Sequence, residues 1–80
     1  MGLEEKIIEL GYKQFSYNGY NKNFGYGIFI YMAVDNNNKI NGWVKESPLY
    51  MFTEQQDINN LQQAFNEMQK DLKELELCQD

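Results

Sequence analysis

The chain has 80 residues, a formal charge of −5, no histidine and a single cysteine, Cys78. That length makes one domain, residues 1–80, near the lower end of what folds alone. The composition excludes an intramolecular disulfide framework, a structural zinc site and any catalytic device built on histidine.

Six tyrosines, five phenylalanines and one tryptophan supply the apolar area that a small core needs. A core of this size leaves little excess stability, which a homodimer would supplement. Acids at Glu4 and Glu5 stand where a secretory leader would be positive, and no apolar segment follows them. The longest apolar run, Ile28 to Val34, is far short of the roughly 20 residues of a membrane helix. These features lead us to expect a protein of a reducing cytosol, with no membrane contact.

Leu3, Ile7 and Leu10 recur at helical spacing, and Gly11 follows where a left-handed C-cap belongs. A short helix over Leu3–Leu10 is predicted, its acids placed at the positive end of the dipole. Asn18-Gly19, between Tyr17 and Tyr20, reads as the tip of a tight hairpin. Phe24 to Val34 reads as a strand, with Ile28–Val34 apolar on both faces and therefore central. Within it Gly25 and Gly27 fall on one face, as if leaving room for a close neighbour.

Asp35-Asn36-Asn37-Asn38 is a turn, and Lys39–Glu46 is the returning strand. A three-residue loop over Asn36–Asn38 sets Val34 against Ile40, Met32 against Gly42 and Ile30 against Val44. The aliphatic residues then share one face, while Tyr31 opposes Trp43 and Phe29 opposes Lys45 on the other. A slip of one residue would mix the two sets, so the pattern selects this register.

Ser47-Pro48 ends the strand, and Leu49–Phe52 is a third short strand or an extended lead-in. Thr53-Glu54-Gln55-Gln56 fits a capping box. Ile58, Leu61, Phe65, Met68, Leu72 and Leu75, extended by Ala64, form one apolar stripe on a helix from about Glu54 to Glu76. The stripe also fits heptads, but Phe and Met are poor seam residues and the flanks lack complementary charges. The fold class expected is α+β. It comprises a short N-terminal helix, an antiparallel meander of three or four strands, and a long C-terminal amphipathic helix packed on one sheet face.

Catalysis is hard to assemble from these residue types. No nucleophile–histidine pair exists, and no glycine-rich loop ends in Gly-Lys-Ser/Thr. A carboxylate pair such as Glu67 and Asp71 is better read as a solvated helix face. Asp35–Glu46 imitates a calcium loop only in part, because Lys39 takes a ligand position and Ile40 replaces the required glycine. No enzyme activity, metal or cofactor is therefore expected. Direct nucleic-acid binding is disfavoured, since seven scattered lysines face twelve acids.

Two surfaces remain as partner-binding candidates. One is the aromatic face of the hairpin, Phe29, Tyr31 and Trp43, a set of residue types enriched in binding hot spots. The other is the outer face of the last helix, with Glu54, Asp57, Glu67, Asp71, Glu74 and Glu76, whose carboxylates could imitate a phosphate backbone. An alternative ligand site uses Tyr12, Tyr17, Tyr20 and Tyr26, which with backbone amides could hold a nucleotide.

In size, in its Asn- and Lys-rich acidic composition, and in ending in an acidic amphipathic helix over Thr53–Asp80, the chain resembles small accessory proteins of phages of low-GC Gram-positive bacteria, anti-CRISPR proteins among them. The resemblance implies a non-catalytic inhibitor that binds a host protein, such as a nucleic-acid-handling defence enzyme, in the bacterial cytoplasm. A sponge for a nucleotide signal is the second expectation, and a structural or assembly subunit the third.

Overall fold

A computed structural model describes residues 2–46 and 54–77, with side chains described for residues 2–46 and 58–76. The elements in chain order are α1 (Leu3–Glu9), β1 (Lys13–Gln14), β2 (Gly19–Gly25), β3 (Ile28–Val34), β4 (Ile40–Glu46) and α2 (Glu54–Leu77). The strands form a four-stranded antiparallel sheet in the order β1-β2-β3-β4, so β3 is paired on both sides. The architecture is α+β, as expected. The expected break at Ser47-Pro48, the strand at Leu49–Phe52 and the N-cap at Thr53 lie outside the described residues.

α1 ends as its sequence dictates. Leu10 is the C-cap and Gly11 follows at φ +101°, a backbone angle that glycine takes without strain.

The first hairpin differs from expectation. Lys13 pairs with Asn21 and Gln14 with Tyr20, so Asn18-Gly19 is not a two-residue tip. The chain turns over 15–18, with both Phe15 and Ser16 donating backbone N–H to the Gly19 carbonyl. The tight turn lies instead at Tyr26-Gly27. Gly25 pairs with Ile28, and the two residues between them take φ 57° and 72°, the paired positive angles of a type I′ turn. Phe24 and Gly25 therefore belong to β2 rather than to one strand running through to Val34. The glycines there serve the turn and do not make room for a neighbour.

The β3–β4 register is the one the hydrophobic pattern selects: Val34 with Ile40, Met32 with Gly42, Ile30 with Val44, Tyr31 with Trp43 and Phe29 with Lys45. Asp35 locks its loop. Its Oδ1 accepts backbone N–H from Asn37 at 2.8 Å and Lys39 at 2.9 Å, and Asn38 sits at φ 62°.

The core lies between the aliphatic sheet face and the helices. Ile28, Ile30 and Met32 from β3 are fully buried, together with Ile7 of α1 and Ala64, Met68 and Leu75 of α2. Gly42 lets α2 approach closely, since a Cβ there would lie 3.0 Å from Met68 Sδ and 3.3 Å from Leu72 Cδ1. The apolar stripe of α2 is rotated from its expected position. Ile58 and Phe65 are exposed, whereas Asp71 is buried in line with Ala64, Met68 and Leu75.

Candidate functional site: an open aromatic sheet face

Strand alternation sends the side chains of Phe29, Tyr31 and Ala33 away from the helices, along with Asn41, Trp43 and Lys45 of β4. Asn21 and Asn23 of β2 and Lys13 of β1 share that side, each opposite one of these residues or its neighbour. No described helix covers it. Tyr31 and Trp43 stack nearly parallel, with centroids 5.5 Å apart and planes at 7°. Phe29 adds a tilted contact to Tyr31 at 6.4 Å.

A fourth ring joins this set. Phe15 folds back from the β1–β2 turn and meets Tyr31 edge-on at 5.7 Å. It lies over Gly19, where a Cβ would sit 2.8 Å from the ring. Sequence reasoning overlooked Phe15 because the misplaced hairpin tip put it in a strand with no assigned partner. The small Gly19–Ala33 pair beneath it leaves room for the ring, but that pairing depends on a β2–β3 register the sequence does not give. Phe15 and Trp43 keep 54 % and 42 % of their surface exposed, enough apolar area to anchor a partner.

The second candidate surface loses Asp71 and Glu67 to contacts within the chain. Asp71 is buried, and its Oδ2 accepts from Tyr12 Oη at 2.8 Å and from Lys22 Nζ at 2.7 Å. Lys22 Nζ also donates to the Leu10 carbonyl at 3.2 Å and lies 3.3 Å from Glu67 Oε2 and 4.6 Å above the Tyr12 ring. Lys22 thus hydrogen-bonds Leu10 and Asp71 and lies within ion-pair distance of Glu67, so the buried carboxylate of Asp71 faces a cation. One lysine ties the C-cap of α1 and the middle of α2 to β2. Burial, then the hydrogen bond and charge of Asp71, then Glu67, push the Tyr12 hydroxyl far above the ordinary tyrosine value. Of the six acids expected on one solvated face, Asp71 is internal, Glu67 is paired with Lys22 and Glu74 is half-buried. Glu76 is exposed on the side near Lys39, while the side chains of Glu54 and Asp57 lie outside the described residues.

The four tyrosines of the alternative ligand site do not converge. Tyr12 and Tyr20 are core residues, exposed by 2 % and 4 %. Tyr17 and Tyr26 are exposed but lie at turns on opposite ends of β2. Tyr17 and Tyr20 do line one open hollow of ≈ 480 Å³, but Glu4 and Asp35 share its wall. Burial, together with the charge and hydrogen bond of Glu4, raises the Tyr20 hydroxyl as well. Carboxylates in that position repel a nucleotide's phosphates.

Among the described residues no helix is long and apolar enough to cross a membrane, and no three His, Cys, Asp or Glu side chains converge. Comparison with protein-family models, with curated proteins and with solved structures gave no match, so the site is read from its own geometry.

Proposed function

We propose that this chain is a non-catalytic interaction protein of phage or prophage type, which binds and thereby inhibits a host protein through its open sheet face. The observation that carries the binding reading is the ring cluster Phe15–Tyr31–Trp43–Phe29, with Phe15 and Trp43 exposed and Tyr31 and Phe29 half-buried, on a sheet whose opposite side engages both helices. Rigid aromatic anchors lose little entropy on binding and concentrate affinity. The phage-type assignment, and a defence enzyme as target, rest on size, composition and architecture.

Nucleic-acid mimicry by the last helix loses support, because Asp71 and Glu67 are tied to Lys22 within the chain. Affinity capture from a low-GC host separates the two surfaces. Tyr31→Ser with Trp43→Ser should abolish recovery of the partner, while Glu74→Lys with Glu76→Lys should leave it intact. The opposite pattern would return the contact to the helix.

A further inference from the structure

The open face differs in sign from the rest of the chain. Its charged strand positions are Lys13 and Lys45, both exposed and neither ion-paired among the described residues. Among the described residues, no acid stands at an outward-facing position of these strands. The nearest in register, Asp35, sits at the hairpin mouth with its carboxylate turned onto backbone N–H groups. Asn21, Asn23 and Asn41 fill the remaining polar positions of the face.

The row Lys13–Asn21–Tyr31–Trp43 crosses all four strands. Lys13 and Trp43 are therefore about 14 Å apart, three spacings of roughly 4.8 Å. Lys45 stands two residues along β4 from Trp43, at the opposite edge from Lys13. The rings of Tyr31 and Trp43, with asparagines beside them, lie between the two edge cations, and the span is about that of an α-helix, whose diameter is about 10–12 Å.

We infer that the occupant of this face is an acidic amphipathic helix of the partner protein, its apolar ridge on the rings and its carboxylates on Lys13 and Lys45. The inference rests on the open face being the contact surface. A second copy joined face to face fits less well, because it would bring lysines together in an isologous contact. Single-stranded nucleic acid fits less well too. Tyr31 and Trp43 are stacked on each other, which denies a base the space between them, and Lys13 and Lys45 are too few to track a phosphate backbone.

The test is a titration of the intact chain, followed by Trp43 fluorescence and amide chemical shifts, with three probes. These are a Trp-free 20-residue Leu/Glu amphipathic helix, the same peptide with Lys for Glu, and an oligothymidylate. The acidic peptide should shift Trp43, Tyr31 and Phe29. Lys13→Glu and Lys45→Glu should each weaken it about fivefold or more, and Lys13→Gln and Lys45→Gln less. Raising salt should weaken it as well. Equal binding of the basic peptide, preference for the oligonucleotide, shifts confined to other surfaces, or no binding of the acidic peptide would each overturn the inference. A captured partner that contacts the face through a basic or neutral segment would overturn the charge assignment and leave the face assignment standing.

Discussion

Lys22 Nζ lies 2.7 Å from Asp71 Oδ2, joining β2 to α2 across 49 residues of sequence. The side chains of Lys22 and Asp71 are 16 % and 7 % exposed, so the pair is shielded from screening and each partner depends on the other. Asp71→Ala should destabilise the fold by about 3 kcal/mol, and Lys22→Met by a similar amount, read as a lower urea midpoint with unchanged slope. Lys22→Met combined with Asp71→Leu should cost much less than the sum, because no unpaired charge is left behind. Single-variant costs below about 0.5 kcal/mol would place the pair among ordinary surface contacts.

The same cluster predicts an alkaline limit. The hydroxyl of Tyr12 is held protonated in the folded state, whereas in the unfolded chain it titrates near 10. Below that pH both states carry the proton and the contribution is complete. Above it the unfolded state alone releases the proton, so stability falls by up to about 1.4 kcal/mol per pH unit for this group. Tyr12→Phe should flatten that fall while lowering stability at neutral pH by about 1 kcal/mol through the lost hydrogen bond. Urea midpoints of the wild type and the variant between pH 8 and 11 would show both effects.

Gly42→Ala tests how closely α2 lies on the sheet. The new Cβ would meet Met68 Sδ at 3.0 Å and Met68 Cγ at 3.2 Å. Met68 is flexible enough to give way in part. The expected cost is about 1–2 kcal/mol by thermal or urea unfolding, relieved in part by Met68→Ala in the same chain.

Trp43→Ala should separate stability from binding. The ring is half-exposed and its stacking on Tyr31 is worth about 1 kcal/mol, so the fold should persist with a small loss. Partner affinity should fall by 100-fold or about 3 kcal/mol, the scale of a hot-spot truncation. A comparable loss of stability, with affinity unchanged, would make the ring a structural residue.

The β3–β4 hairpin was legible because its two faces differ so sharply. Aliphatic residues at Ile28, Ile30, Met32, Val34, Ile40 and Val44 admit one register only, and that register stacks Tyr31 on Trp43. β2 was not legible, because Gly19–Gly25 is largely polar. Its Asn21 and Asn23 face the open side, and its Lys22 is drawn inward by acids that local spacing does not pair with it. The turn at Tyr26-Gly27 was hidden because tyrosine rarely adopts positive φ. The burial of Asp71 did leave a trace. It continues the run Ala64, Met68, Leu75 at spacings of four and three, and only its charge argued for solvent.

If the open sheet face is where a partner sits, a group at position 43 must lie against that partner. Replacing Trp43 with a photo-crosslinking phenylalanine analogue in the producing cells tests it most directly, with the same analogue at exposed Gln63 on α2 as the comparison. One discrete, light-dependent conjugate is expected from position 43, lost when Tyr31 and Phe15 are changed to serine, and none from position 63. A conjugate from position 63 with none from position 43 would contradict it.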